Sequence, residues 1–336
     1  MFLLLTFYLN KNELFYIRIS FFISLLLCGV KFFAWYITDL LVILSDALES
    51  IINVIGSAFA WYSIYLSGKP RDKEHPYGHG KIEFFSIGFE GAMILLAGVL
   101  ILFEAVHLFI QPQQVHQTGI SFWLMTATGV ANFMLGYVLV AKGKKFNSVT
   151  LQGNGKHIMS DSYTSIGVVI AIGLIYFTKI QWIDPVASIV AGSIIVVTGF
   201  KLLRKSVRGL MDEADPKIVQ EIIDVLKKNR KATWIDIHNL RVQRYGNYYH
   251  VDCHVTLPFY YSLTQVHDII TEMDQELNAQ FEGGSIEFFI HTDPCMDYSC
   301  AHCQLSDCKE RKHAFAELIE WNEENLLPNK RHAFPE

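Results

Sequence analysis

The stretch from Leu40 to Leu66 reads LLVILSDALESIINVIGSAFAWYSIYL, and it decides what kind of molecule this is. It is apolar enough, and longer than the ~20 residues a bilayer-spanning helix needs. Hydrocarbon makes an acid expensive, so Asp46 and Glu49 belong there only with a partner or a ligand. Glu49 and Asn53 stand four apart, which sets their side-chain oxygens one turn apart on one helix face. A second apolar run, Ile158 to Phe177, opens with the same device in His157 and Asp161. Facing each other, these helices would offer carboxylates, an amide oxygen and an imidazole to one point inside the membrane, a donor set for a divalent cation. The same groups could instead only tie helices together, but two such pairs on separate spans favour a ligand. Asp46, one turn before Glu49, suits either role.

The rest of the chain extends this reading. Of 336 residues, 51% are hydrophobic, which is too apolar for an ordinary soluble domain. Six apolar segments can be drawn, at 14–35, 39–66, 84–110, 119–141, 158–178 and 183–203. At the N-terminus, Asn10-Lys11-Asn12-Glu13 interrupts the apolar run with no small-residue cleavage site after it, so the first residues are expected to form a short pre-helix. Basic residues crowd into alternate loops: Lys69, Arg71, Lys73 and Lys81, then Lys142, Lys144, Lys145 and Lys156, then Lys201, Arg204, Lys205 and Arg208. The positive-inside rule then puts both termini in the cytoplasm of a multi-pass protein of the cell membrane. The net charge of −5, with no basic stripe interleaved by aromatics, gives no sign of nucleic-acid binding.

Three parts follow: a six-helix membrane domain (1–208), a charged domain (209–294) and an extension (295–336). In the second part, Pro216–Asn229 and Leu263–Asn278 have helical periodicity. Trp234–Tyr245, Tyr248–Leu257 and Ser285–His291 read as strands, the first two joined by a turn at Gly246-Asn247. The order αββαβ predicts a ferredoxin-like α+β domain with two helices on one face of a small mixed sheet. Lys309 to Asn325 reads as a solvated amphipathic helix.

Further ligand sets lie outside the spans. Asp72, His75 and His79, at i, i+3 and i+7, could form a three-ligand site in the loop after the second span. His254 sits in an alternating strand, and His291 with Asp293 closes another, so these could meet at a sheet edge. Cys295, Cys300, Cys303 and Cys308, with His302 and His313 nearby, have the crowded spacing of a soft-metal site rather than of a disulfide framework. Such a site could receive metal, sense it or simply fold the terminus.

Together these pieces resemble the cation diffusion facilitator family. The resemblance is carried by SDALES (45–50), HPYGHGK (75–81), HIMSDS (157–162), LMDE (210–213) and HTDP (291–294), and it runs from the first span to about Pro294. It implies a divalent metal cation/proton antiporter that works by alternating access. It implies a transport site of Glu49, Asn53, His157 and Asp161 and a loop site of Asp72, His75 and His79. It also implies a metal cluster at a dimer interface, from His238, His254, His267, His291 and Asp293, and a homodimer clamped by Lys81 with Asp212. Glu49 and Asn53 depart from the Asp- or His-then-Asp pair of the zinc carriers, and the Asn53 amide removes one negative charge. Zinc is the expected cargo, with manganese, iron or cobalt compatible.

Two other classes compete with a carrier. An intramembrane metalloprotease would need a motif such as His-Glu-x-x-His, and none occurs. A metal sensor without transport would not need ligand pairs inside the bilayer.

Overall fold

The computed structural model describes residues 2–38, 41–110, 119–178, 183–246, 248–281 and 285–332. They form two units, Met1–Met211 and Asp212–Glu336.

The first unit is helical: α1 (Phe2–Thr38), α2 (Leu41–Ser67), α3 (Ile82–Ile110), α4 (Gly119–Lys145), α5 (Val149–Thr178) and α6 (Ile183–Leu210). Stretches long and apolar enough to cross a membrane occur in α1 (Asn12–Phe33), α2 (Ser50–Ser67) and α3 (Ile82–His107). Phe22, Leu26 and Phe33 of α1 point outward, as lipid contact requires. The expected pre-helix is corrected: α1 is unbroken through Asn10–Glu13. Lys and Glu are good helix formers, no Pro or Gly interrupts the run, and Glu13 is buried.

Without a hydrophobic drive between helices in lipid, backbones must approach closely to gain dispersion contact. Glycine permits this where α3 meets α6, since a Cβ at Gly199 would lie 2.6 Å from Leu95 N and 2.9 Å from Gly91 O. At the α4–α5 crossing, a Cβ at Gly155 would lie 2.8 Å from the carbonyl oxygen of Gly136. Ser206 Oγ on α6 also donates to Phe84 O on α3 at 2.6 Å.

The second unit runs α7 (Pro216–Lys228), β1 (Asp236–Tyr245), β2 (Tyr248–Leu257), α8 (Leu263–Gln280), β3 (Ser285–Pro294) and a short α9 (Glu323–Leu326). Asp215 caps α7 by accepting from Lys217 N, with Pro216 at the first turn where its missing N–H costs nothing. Ser262 and Gln265 form a capping box for α8. The sheet order is β1-β2-β3, antiparallel then parallel. Along β2, Tyr249, Val251, Cys253, Val255 and Leu257 enter the core beside Ile222, Leu226, Met273 and Leu277 of the two helices. The alternate residues, His250, Asp252, His254 and Thr256, therefore occupy the opposite face.

Residues 295–332 form a strap over this unit: a 3₁₀ turn at Asp297–His302, an extended run, then α9. The helix expected from Lys309 to Asn325 is not there; apart from the start of α9 the segment is non-helical. Trp321 and Ile319 enter the core instead. The Arg230 guanidinium covers the Trp321 ring at 4.1 Å and donates to Ile319 O at 2.6 Å.

Candidate metal centres

In the first unit α2 and α5 touch where Gly56 leaves room for His157; a Cβ there would lie 3.8 Å from the His157 ring. The His157 Nε2 lies 4.0 Å from Asp161 Oδ2. Asn53 is 6% and His157 5% exposed, and Asn53 Oδ1 and His157 Nδ1 find no hydrogen-bond partner among the described residues. Buried polar atoms left in that state cost about 1–3 kcal/mol each unless a ligand meets them. The side chains of Asp46 and Glu49 lie outside the described residues. Ser20 Oγ donates to Asn154 Oδ1 at 2.9 Å and Asn154 Nδ2 donates to Ser57 Oγ at 3.2 Å, tying α1, α2 and α5 together one turn before His157. Sequence reasoning missed this network, and it missed Glu90, fully buried on α3 beside Gly153. An acid inside an apolar run was the signal available for Glu90.

Between α2 and α3, Asp72, His75 and His79 come together with ligand atoms within 4.8 Å of one another. His75 Nδ1 is 3.1 Å from Asp72 Oδ1 and His79 Nε2 is 3.3 Å from Asp72 Oδ2. The backbone N–H of His75 is foremost in holding the Asp72 carboxyl below its usual range, so it stays an anion. Gly78, at φ 87°, makes the turn that brings His79 back, in a region that disfavours a Cβ.

In the second unit strand register does the assembly. His238 pairs with His254, and His254 with His291, so the three strands present one row of imidazoles. A bulge follows His238, and Asn239 there takes φ 54°. Asp293, two residues beyond His291, points back to the row: its Oδ2 is 3.1 Å from His254 Nδ1 and 3.5 Å from His238 Nε2. His238, His254 and Asp293 have ligand atoms within 4.8 Å of one another. His291 stacks on His254 at 4.5 Å between ring centres and lies 3.7 Å from Asp293, while remaining exposed. His267 is not brought to the group; it is exposed on α8 and contacts Thr271. Asp236 faces the other nitrogen of His238 at 3.6 Å, an arrangement that turns Nε2 toward the cluster. Burial alone would raise the Asp236 pKa, but the nearby His238 ring and the hydrogen bonds from His332 hold it well below the carboxylate range. The strap reaches this site too: Arg331 pairs with Asp293 Oδ1, and His332 Nδ1 lies 2.7 Å from Asp236 Oδ1.

Cys295, Cys300, Cys303 and Cys308 line a single small cavity in the second unit, and all are free thiols. Lys81 precedes α3 in the first unit and Asp212 opens the second, with φ 56°.

Residues 17–211 match the family model described as the cation efflux transmembrane domain, and residues 214–295 match the cation efflux protein cytoplasmic domain. An uncharacterized transporter of Synechocystis is 31% identical over 80% of this chain and 86% of its own length. The manganese efflux system protein MneP of Bacillus subtilis is 29% identical, over 81% of this chain and 92% of that protein. A cadmium, cobalt and zinc/H(+)-K(+) antiporter of the same organism is 24% identical, over 72% and 78%.

Proposed function

The chain belongs to the cation efflux family, the cation diffusion facilitators, and from that premise we propose that it exports a divalent metal ion in exchange for protons. The observation that carries this reading is the contact of α2 with α5 at Gly56 and His157, where Asn53 Oδ1 and His157 Nδ1 are buried with no hydrogen-bond partner among the described residues and Asp161 lies one turn on. The transport site is Glu49, Asn53, His157 and Asp161. Two carboxylates offset the ion's charge, and protonation of the same atoms expels it, so metal and protons exclude each other. Alternate opening of the site to each side then couples the two flows.

In this reading the first unit crosses the membrane six times, with both termini in the cytoplasm. The loop group of Asp72, His75 and His79 binds metal at the surface. The protein is a homodimer, with Lys81 and Asp212 clamping the protomers. Metal on His238, His254, His291 and Asp293 draws the second units together, and exposed His267 is available to the partner's cluster.

Zinc suits the imidazole at the transport site. A specific observation favours manganese as a second cargo: Asn53 supplies a neutral, hard oxygen, and MneP is named for manganese efflux. The test is uptake of zinc and of manganese into inside-out vesicles with and without a pH gradient. Gradient-driven uptake that Asp161→Ala abolishes is expected. Uptake that is the same in Asp161→Ala as in the wild type would overturn the site, and uptake indifferent to the gradient would overturn proton exchange.

A further inference from the structure

Neither the transport site nor the histidine row uses the four thiols of the strap. Cys295, Cys300, Cys303 and Cys308 share the wall of a cavity of about 30 Å³, closed on one side by Tyr260 of the turn between β2 and α8. A single water needs roughly 10–15 Å³, so this space suits one ion and excludes an organic ligand. Among the described residues no three of these sulfurs lie within 4.8 Å of one another, so an ion would have to draw the thiols together.

Burial pushes the Cys295 and Cys303 thiols above their ordinary value, while several donors and one cation are set around the sulfurs. Phe259 N donates to Cys295 Sγ and Lys312 N to Cys300 Sγ, each at 3.4 Å, and the Leu305 backbone N–H reaches Cys303. Tyr260 and Cys308 line the same cavity. Arg311 binds Cys300 O at 3.0 Å, Cys303 O at 3.0 Å and Leu305 O at 2.7 Å, which fixes the loop and sets a cation beside it. Four thiolates around a divalent ion leave two excess negative charges, and these N–H donors and the guanidinium are placed to offset them.

We infer that Cys295, Cys300, Cys303 and Cys308 form a tetrathiolate site for one thiophilic divalent ion of the zinc class, closing the strap onto the β2–α8 turn. Four sulfurs complete a tetrahedral shell and leave no open position, so the ion is structural and is not cargo. It anchors the end of the strap from which Ala316 N and Glu317 N reach back to Ala301 O, at 2.8 and 3.2 Å.

The test uses the full-length chain, purified reduced and loaded with cobalt(II), whose thiolate complexes show a charge-transfer band that imidazole and carboxylate complexes lack. The expected result is one thiolate-bound cobalt per chain, displaced by zinc. The band should persist in Asp161→Ala and in His254→Ala/Asp293→Ala, and vanish in Cys300→Ser/Cys303→Ser. Because the double variant could misfold, the second measurement is alkylation of the wild type. With zinc at about 100 times its Kd, the four thiols should react about a hundredfold more slowly and recover with chelator, while buried Cys28 and Cys253 do not respond. A wild-type chain with no thiolate band and zinc-insensitive alkylation would overturn the site, as would two disulfides among the four under reducing purification. Since the transport variants keep the band, failure here is distinct from failure of the transport reading.

Discussion

Replacing Arg331 by Gln should tighten metal binding at the histidine row. Arg331 pairs with Asp293 Oδ1, while the ion would sit between Asp293 Oδ2, His254 Nδ1 and His238 Nε2, on the far side of the same carboxylate. Two unit charges at 4 Å interact by about 4 kcal/mol at an effective dielectric of 20, and a doubly charged ion slightly farther away feels a repulsion of that order. The Arg331 side chain is 34% exposed, so water screens much of this. About 1.4–2.8 kcal/mol should survive, or about ten- to hundredfold in Kd. The assay is chelator competition for zinc on the full chain, in a His75→Ala/Asp161→Ala/Cys300→Ser/Cys303→Ser background, so that the histidine row dominates. Arg331→Lys keeps the charge and should bind as the parent does. If Arg331→Gln binds no tighter, the guanidinium does not oppose the ion and the reasoning fails.

Trp321→Ala should destabilise the second unit by about 3–5 kcal/mol, since Trp321 is 1% exposed and carries the Arg230 contact; thermal unfolding and proteolysis of the strap would read this. Gly199→Ala should lower the thermal stability of the detergent-solubilised protein by about 1–3 kcal/mol, because the new Cβ meets the backbone of Leu95 and Gly91, which cannot step aside as a side chain can. Asp236 has its pKa depressed in the fold, so its contribution to stability is full above the unfolded value and is lost as pH falls. The difference in chelator-treated unfolding between wild type and Asp236→Asn should thus be largest near neutrality and shrink progressively below about pH 5.

What could be read beforehand was whatever local periodicity and spacing encode. The i, i+4 pair His157 and Asp161 and the i, i+3, i+7 set of Asp72, His75 and His79 need only a helix or a turn to bring their members together. The αββαβ order followed from the helical periodicity of Pro216–Asn229 and Leu263–Asn278 and the strand-like runs between and after them. The row His238, His254 and His291 was harder, because register across three strands is a tertiary property, set here by the core residues alternating with the histidines and by the bulge after His238. Glu90 escaped because no acid, histidine or amide lies three or four residues from it, and Asn154 because it lies before the apolar run that opens at Ile158.

The strap shows why a good local signal can lose. From Lys309 to Asn325 the residues are sound helix formers, but an isolated helix of that length is marginal in water and each residue's preference amounts to a few tenths of a kcal/mol. Burying Trp321 and Ile319 is worth about 1.5–3 kcal/mol for each side chain, and the Arg230 contacts add to that. As an extended run, the segment reaches that core, leaves Phe315 and Leu318 outside, and brings Asn239 N to Pro328 O at 2.9 Å. A helix would shorten it from ~3.3 to 1.5 Å per residue. Over the fourteen residues between Cys308 and Glu323 that is ~25 Å of lost reach, and Arg331 could no longer meet Asp293. The strap is therefore extended because both of its ends are held, and a variant that frees either end should release the other.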